Sequence, residues 1–195
     1  MEKDDAVISE ILVAAKSLFG RFGLKKTTIE DISVAAGKGK STLYYYFQGK
    51  NEIFEAVVKY EMETVLNKLS AAVLTAQPAT EKLKIFLITQ SVAILELHSL
   101  YSVLFDEILD CRNMLRPLRL RYEETQLDMI REIISEGART GEFKKLSSEH
   151  ISRLSVIILI AFRGLQFPLT INPDKVRPHE YFNTLIDLVV GGIGI

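Results

Sequence analysis

The sequence contains little of what disulfide-linked, zinc-cluster or membrane-spanning proteins require. Cys111 is the one cysteine among 195 residues, which excludes an intramolecular disulfide and a cysteine-rich zinc site. The longest uninterrupted apolar run extends from Val156 to Phe162, far short of the roughly 20 residues that a membrane-spanning helix needs. No basic segment followed by an apolar one opens the chain. We therefore expect a cytoplasmic protein that has no membrane partner.

Signals for β-strands are also nearly absent. No Asn-Gly or Asp-Gly pair marks a hairpin, whereas apolar residues recur every three or four positions along most of the chain. Apolar residues make up 48% of the chain and charged residues 25%, which excludes an intrinsically disordered protein. We expect an all-α protein of about nine helices, the last five at about 80–97, 100–111, 116–138, 147–167 and 177–190.

Turn residues and apolar spacing place the first two helices. The apolar face of the first helix, which we expect to end at Gly23, consists of Ile8, Ile11, Leu12, Ala15, Leu18, Phe19 and Phe22. Thr27 and Thr28 are each followed three residues later by an acid, a pattern that predicts a capped helix start. This second helix ends at Gly37, and its inward residues are Ile29, Ile32 and Ala35.

A third and a fourth helix follow closely. Gly39 and its neighbours leave room only for a tight turn before a helix over 40–48, in which Leu43 and Phe47 share one face. Asn51 then caps a longer fourth helix. The expected inward residues of that helix are Ile53, Val57, Tyr60 and Val65.

Two short helices joined by a glycine-containing turn are typical of a helix-turn-helix, which places its second helix in the major groove of DNA. Because Leu43 and Phe47 face the core, Lys40 and Tyr46 lie at the edge of the third helix, and its outward residues are Ser41, Thr42, Tyr44, Tyr45 and Gln48. Against DNA, a tyrosine ring contacts a thymine methyl or a sugar, and its hydroxyl reaches a phosphate. The alternative is that tyrosines pack on the following helix, which we expect of Tyr46.

Charge is distributed unevenly, although the net charge of the chain is −1. Residues 16–50 carry seven basic side chains against two acidic ones, Glu30 and Asp31, whereas residues 51–195 carry 16 basic and 19 acidic ones. A basic segment ahead of a mildly acidic remainder indicates that the first part of the chain binds a polyanion. The alternative is a set of solvated lysines on ordinary helices.

Three motifs occur in a characteristic order and spacing within this basic part. They are T-T-I-E-D-I at 27–32, A-A-G at 35–37 and K-S-T-L-Y-Y-Y-F-Q-G-K-N-E-I at 40–53. In these residues, within a match from Ile8 to Lys59, the chain resembles the TetR family of bacterial transcriptional repressors. The resemblance implies a homodimer that binds palindromic operator DNA. It also implies a small apolar or amphipathic effector that moves the shared fourth helix and so releases the DNA.

The resemblance implies roles for residues at matching positions. Those that resemble the family's phosphate contacts are Thr42, Tyr44, Tyr46 and Lys50. Those nearest to the base edges are Lys40, Ser41 and Tyr45. Thr28 resembles a residue that caps the second helix and contacts a phosphate through its exposed N-terminus. The complete expected DNA-binding set is Thr28, Lys38, Lys40, Ser41, Thr42, Tyr44, Tyr45, Tyr46 and Lys50.

We expect two domains that share the fourth helix without a flexible linker: a DNA-binding domain over 1–50 and a ligand-binding and dimerisation domain over 51–195. The helix at 147–167 is apolar on nearly every side, and the last helix is similar, which indicates that a second subunit covers both. The expected residues of this four-helix homodimer interface are Ile151, Leu154, Ile158, Phe162, Tyr181, Leu185, Leu188 and Val189. The alternative is a monomer that buries both helices.

Aromatic and polar residues on the middle helices are the candidates for the effector site. They are Phe86, Gln90, Tyr101, Phe105, Tyr122, Gln126 and Phe162. The alternative for most of them is an ordinary position in the core. Two partners are open for Arg163, an anionic effector or a glutamate of the chain.

Motifs of other functions are incomplete. Residues 37–42 look like a phosphate-binding loop, but Val34 stands where the Walker motif needs a glycine. We therefore expect a regulator rather than an enzyme, with no catalytic residue, metal ligand or cofactor. One alternative is a helical-bundle enzyme or metal protein that uses Asp106, Glu107 and Asp110. Another is an interaction module whose first part binds an acidic protein.

Overall fold

The computed structural model describes residues 2–100, 111–171 and 178–194. In these ranges the all-α prediction is confirmed: the chain forms eight helices and no strand, and an isolated bridge joins Phe143 to Gly194. The further helix expected at 100–111 falls on residues outside the described ranges. The helices are α1 (Glu2–Lys26), α2 (Ile29–Ala35), α3 (Lys40–Tyr46), α4 (Lys50–Thr75), α5 (Ala79–Leu100), α6 (Arg116–Thr140), α7 (Ser148–Ile171) and α8 (Pro178–Ile193).

The chain divides into two compact units. The first comprises Met1–Glu63 and Leu97–Arg119, and the second comprises Thr64–Glu96 and Leu120–Ile195. α4 therefore contributes its first half to one unit and its second half to the other. The functional division at residue 50 remains a prediction.

The core of the first unit is built from one apolar side of each of its helices. The buried side chains are Ile11, Ala15, Phe19, Leu24, Ile32, Leu43, Phe47, Ile53, Phe54, Val57 and Leu115. The rings of Phe19 on α1 and Phe54 on α4 meet edge to face, with their centroids 5.4 Å apart. This geometry is favourable for two aromatic rings and adds to the burial of their area.

Of three local predictions of helix boundaries in the first unit, one is confirmed and two are not. Gly23 has a non-helical conformation (φ 83°, ψ 167°), so the first helical segment ends there as predicted, and a short further segment continues α1 to Lys26. Thr27 does not cap α2, because its side chain is buried and its hydroxyl donates to the carbonyl oxygen of Gly23 at 2.7 Å. α4 begins at Lys50, so Asn51 lies inside the helix and does not cap it.

Three side chains expected to face the core of the first unit are exposed. They are Phe22, Ala35 and Tyr60. The side of α4 that faces the core contains Phe54 and Val57, and Tyr60 lies at the edge of that side. Phe22 immediately precedes the break at Gly23, and its ring lies beneath the guanidinium of Arg21, 5.1 Å from the ring centroid.

Among the residues of the second unit whose burial is described, four large aromatic side chains are fully buried: Phe86, Phe143, Phe162 and Phe182. The rings of Phe162 on α7 and Phe182 on α8 contact each other at a centroid distance of 5.0 Å. Phe143 lies against Gly137 on α6, where an added Cβ would be 2.2 Å from the ring. Only glycine leaves room for Phe143 at this position.

The carboxylate of Glu142, which follows α6, caps the beginning of α5. It accepts hydrogen bonds from the backbone N–H groups of Ala79 at 2.7 Å and Thr80 at 2.8 Å, and from the Thr80 hydroxyl. Burial raises the pKa of Glu142, but the hydrogen bonds from Thr80 and Ala79 outweigh it and lower the pKa below its usual value. The cap joins two segments of the second unit that are distant in sequence.

Candidate functional site

The first element of the candidate nucleic-acid interface is the N-terminus of α2, and the predicted cap at Thr28 is confirmed. The Thr28 hydroxyl accepts a hydrogen bond from the backbone N–H of Asp31 at 3.1 Å, and the Asp31 carboxylate accepts one from the backbone N–H of Thr28 at 2.8 Å. Hydrogen bonds from the Thr28 side chain and backbone lower the pKa of Asp31. This reciprocal capping box holds the first turn of α2 in place.

A tight turn joins α2 to α3. Gly37 has a positive φ of 63°, a conformation that favours glycine, and the next residue, Lys38, donates its backbone N–H to the carbonyl oxygen of Ser33 at 3.0 Å. Gly39 is the N-cap of α3 and contributes no side-chain hydrogen bond there. The turn therefore has the length and the glycine content that the helix-turn-helix prediction required.

α3 is anchored on one side and exposed on the other. Leu43 and Phe47 are buried in the core of the first unit, as predicted. Tyr44 and Tyr45 lie on the opposite side, where 57% and 79% of their surfaces are exposed, and Ser41 is exposed as well. Exposing two tyrosine rings to water on a short helix contributes little to the stability of the fold. The exposed rings present apolar faces and hydroxyl groups to a partner.

Tyr46 does not join the outward pair. Its ring is partly buried against the core and meets that of Tyr45 edge to face at 4.8 Å. Its hydroxyl donates to a carboxylate oxygen of Asp4 on α1 at 2.6 Å. The expectation that Tyr46 packs rather than projects is therefore met, but its polar partner is on α1 and not on the following helix.

Acidic residues pair with two of the lysines predicted to bind DNA. The Lys38 ammonium lies 2.5 Å from the carboxylate of Glu10 on α1, and the Lys40 ammonium lies 2.9 Å from that of Glu30 on α2. Exposed pairs of this kind contribute only about 0–1 kcal/mol, so a phosphate can replace the carboxylate at little cost. Lys50 donates from Nζ to the carbonyl oxygen of Lys25 at 3.3 Å.

Sequence reasoning missed Asp4 and Glu10 as parts of this surface. Both lie on α1, outside the segment from which the basic charge was counted. No local sequence pattern indicates these two residues, because they are distant in sequence from α3 and its turn. Only the folding of α1 beside the motif brings them into contact with it. The surface is consequently less positive than the count over 16–50 suggests.

The candidate effector residues that the structure describes fall into an apolar and a polar set in the second unit. Phe86 and Phe162 are fully buried, and Tyr101 and Phe105 lie outside the described residues. The polar contacts are Gln90 Nε2 to the Tyr122 hydroxyl at 3.0 Å, Arg163 to Gln126 Oε1 at 3.2 Å, and Arg163 to the Glu123 carboxylate at 2.7 Å. Burial raises the pKa of Tyr122. Of the two partners considered for Arg163, the chain provides the glutamate.

The expected dimer residues do not share one exposed face. Tyr181 and Leu188 on α8 are exposed, and Ile151, Leu154, Leu185 and Val189 are half-buried. Ile158 and Phe162, however, are fully covered by the chain itself, so neither is available to a second subunit. Among the residues of α7 whose burial the structure describes, the exposed large apolar ones are instead Val156, Ile157 and Ile160, with 38%, 61% and 64% of their surfaces exposed.

Neither a cluster of metal ligands nor a membrane-spanning helix occurs among the described residues. Among residues 2–100, 111–171 and 178–194, no three histidine, cysteine or acidic side chains are grouped so that they could hold a metal ion. Asp106, Glu107 and Asp110 lie outside these ranges. No helix in the described part of the chain combines the length and the hydrophobicity needed to cross a membrane.

Sequence comparison identifies related proteins. Residues 11–57 match the family described as "Bacterial regulatory proteins, tetR family". The chain is 28% identical over 155 residues to the HTH-type transcriptional regulator YhgD of Bacillus subtilis, covering 77% of this chain and 79% of the relative. It is 25% identical over 162 residues to the HTH-type transcriptional repressor KstR2 of Rhodococcus jostii, covering 81% of this chain and 74% of that protein.

Solved structures share the fold. A TetR-family regulator from Cytophaga hutchinsonii superimposes with a TM-score of 0.77 at 18% identity, covering 100% of this chain and 98% of its own. The regulator FadR from Bacillus subtilis, determined in complex with stearoyl-CoA, superimposes with a TM-score of 0.69 at 20% identity, covering 95% of this chain and 98% of its own.

Proposed function

We propose that this chain, which belongs to the TetR family of bacterial transcriptional regulators, is a repressor that binds palindromic operator DNA as a homodimer and releases it when a small effector binds. The chain is therefore a regulator and not an enzyme. The observation that carries the proposal is the exposed pair Tyr44 and Tyr45 on α3, a helix anchored through Leu43 and Phe47.

In the proposed complex α3 lies in the major groove. Lys40, Ser41 and Tyr45 are nearest to the base edges, and the phosphate contacts come from Thr28, Lys38, Thr42, Tyr44, Tyr46 and Lys50. The exposed N-terminus of α2, fixed by its capping box, offers backbone N–H groups and a positive dipole end to a phosphate.

Binding exchanges ion pairs within the chain for contacts with DNA. Lys38 would leave Glu10 when a phosphate comes within reach, and Lys40 would leave Glu30 when it reaches a base edge. Because an exposed ion pair contributes little, the release of counterions from DNA favours the exchange. We expect Lys38→Ala and Lys50→Ala each to reduce the slope of log affinity against log salt by about 0.9. A slope unchanged in both variants would contradict the phosphate assignment.

The proposed dimer uses the exposed apolar surface of α7 and α8. Ile157, Ile160 and Leu188 are exposed aliphatic residues on these helices, and burying such side chains between two subunits is favourable. A two-fold pair of α3 helices about 34–36 Å apart would read two successive major grooves. The operator should therefore be a palindrome.

The proposed effector is a small amphipathic molecule of the fatty acyl class that binds in the second unit and acts on the shared helix α4. This class is suggested by the stearoyl-CoA bound to FadR, whose fold this chain shares. The candidate residues are Phe86, Gln90, Tyr101, Phe105, Tyr122, Gln126 and Phe162. A regulator of this kind acts in the cytoplasm, where the bacterial chromosome lies.

Selection of bound sequences from random duplex DNA tests the proposal. We expect the purified full chain to enrich a palindrome, which would support both DNA binding and two-fold symmetry. Tyr44→Ala should weaken binding to the selected DNA at least tenfold, whereas Tyr60→Ala should not, although Tyr60 is exposed to a similar extent (54% against 57%). Failure to enrich any sequence would contradict the proposed function, and enrichment of a single asymmetric half-site would contradict the dimer.

A further inference from the structure

In the second unit, one buried side chain has an N–H donor that meets no acceptor among the described residues. Gln126 on α6 is completely buried, with 0% of its surface exposed. Its Oε1 accepts a hydrogen bond from the Arg163 guanidinium on α7 at 3.2 Å. Among the residues that the structure describes, none accepts a hydrogen bond from its Nε2. A buried donor without an acceptor is unfavourable and uncommon in folded proteins.

The orientation of this amide follows from its neighbour. A guanidinium has five N–H donors and no acceptor, so the group of Gln126 that faces Arg163 must be the amide oxygen. Turning the amide over would place donor against donor. Within the described part of the chain, the group without a partner is therefore the NH2 of Gln126, which needs an oxygen or another acceptor.

The surroundings define which acceptor would fit. Arg163 is also held by Glu123 at 2.7 Å, and both of these side chains are partly exposed. Tyr122 and Gln90 form a hydrogen-bonded pair with each other. The unused donor thus belongs to an amide whose oxygen is already bonded to the Arg163–Glu123 ion pair, so the group that it needs is an acceptor such as a carbonyl or carboxylate oxygen.

We propose that Gln126 donates a hydrogen bond from Nε2 to the acyl oxygen of the effector, and that Arg163, bonded to Oε1, orients the amide for this bond. The ligand class is an acyl compound, either a free carboxylate or an ester or thioester, with an apolar chain. This inference rests on the proposed function, because it names the chemistry by which that effector is recognised.

Isothermal titration of the full chain with three probes of equal chain length tests the inference. The probes are decanoate, methyl decanoate and decylamine, of which decylamine alone lacks an acyl oxygen and carries a positive charge. We expect the acyl probes to bind at least tenfold more tightly than decylamine. If decanoate binds more tightly than its ester, the effector is a free acid, whereas the reverse order identifies an ester or thioester.

Variants of Gln126 distinguish its role in binding the ligand from a role in the stability of the fold. Gln126→Met should lower the affinity for the acyl probes by about 10- to 100-fold, because it removes the donor and keeps the length of the side chain. Gln126→Glu retains an oxygen toward Arg163 but loses the donor, and should show the same loss if the methionine variant does not fold. Ser155→Ala is the control, since it removes a buried hydroxyl that is already bonded to the carbonyl oxygen of Ile151.

Three results would overturn the inference: no acyl probe binds the unaltered chain, decylamine binds as tightly as decanoate, or the folded Gln126 variants keep full affinity for the acyl probes. Operator binding by the same ligand-free preparations reports on the proposed function separately. Loss of acyl binding in the Gln126 variants with operator binding retained is the supporting outcome. Absence of operator binding in the unaltered chain would count against the regulator proposal and not against the role of Gln126.

Discussion

The hydroxyl of Tyr46, at the end of α3, donates a hydrogen bond over 2.6 Å to a carboxylate oxygen of Asp4, near the beginning of α1. This bond raises the pKa of Tyr46 to about 12, further above physiological pH than the ordinary tyrosine value, and the protonated hydroxyl is the donor. It also places a negative charge at the edge of the surface proposed to bind DNA. A phosphate that accepts a hydrogen bond from the Tyr46 hydroxyl must therefore displace the carboxylate of Asp4.

Neutralising Asp4 should strengthen DNA binding. Asp4→Asn keeps an acceptor for the Tyr46 hydroxyl but removes the charge that repels phosphate. We expect a gain of about three- to fivefold in operator affinity at low salt, which shrinks as salt screens the charge. Fluorescence anisotropy of labelled operator measures this change in affinity. Asp5→Asn, which removes the neighbouring charge without touching Tyr46, should have a smaller effect, and a weaker Asp4→Asn complex would show that Asp4 is needed to position Tyr46.

The two sides of α3 should respond differently to truncation. Leu43→Ala removes a fully buried side chain and should lower the free energy of unfolding by about 2–5 kcal/mol. Tyr45→Ala changes an exposed position, so its free energy of unfolding should stay within about 0.5 kcal/mol while operator affinity falls at least tenfold. Urea denaturation and anisotropy measure the two effects. Equal destabilisation by both variants would contradict the exposed position of Tyr45.

A charge on the exposed side of α7 should abolish dimerisation. Ile160→Glu places a carboxylate in the proposed interface, and sedimentation equilibrium should give a folded monomer that binds operator weakly. Val13→Glu, at an equally exposed aliphatic position of α1, should leave the dimer intact. Ile158→Ala should instead destabilise the protomer by about 2–5 kcal/mol, because Ile158 is buried within it. A dimeric Ile160→Glu protein would exclude this face.

The cap formed by Glu142 should make stability depend on pH. Because the pKa of Glu142 is lowered in the folded chain, its contribution is complete above the pKa of the unfolded chain and is lost as pH falls through the folded value. Glu142→Gln should cost about 1 kcal/mol at pH 7, the usual range for a helix cap, and little at pH 3. Thermal melts at both pH values check this. A cost that does not change between them would contradict a role for the charged form.

Gly137 should not tolerate a methyl group. Gly137→Ala would place Cβ 2.2 Å from the Phe143 ring, so we expect destabilisation by about 1–3 kcal/mol despite the better helix propensity of alanine. Phe143→Leu in the same chain should recover part of the loss. Gly191→Ala in α8, where nothing lies within 4 Å of the added Cβ, is the matched control and should be neutral or stabilising. Chemical denaturation distinguishes the three variants.

The helix-turn-helix could be predicted because the contacts that build it are local. Thr28 and Asp31 cap α2 across three positions, and Leu43 and Phe47 anchor α3 across four. Helical geometry brings residues at these spacings together without help from the rest of the chain. The outward position of the α3 tyrosines follows from the same periodicity.

The electrostatic partners within this site could not be predicted in the same way. Glu10 reaches Lys38, and Asp4 reaches Tyr46, only because α1 packs beside the motif. Local spacing carries no information about which distant carboxylate meets which cation. A charge count along a segment therefore overestimated how positive the surface is.

Composition alone established that α7 has apolar residues on nearly all its sides, but not which of them face the protomer's own core. When every side is apolar, periodicity gives no inward direction. In the folded protomer α7 contacts α8 through Phe162 and Phe182, Ile158 is buried, and Ile157 and Ile160 are exposed. Local patterns thus set the helices and the exposed face of α3, whereas contacts between helices set the orientation of α7 and the surface that remains for a partner.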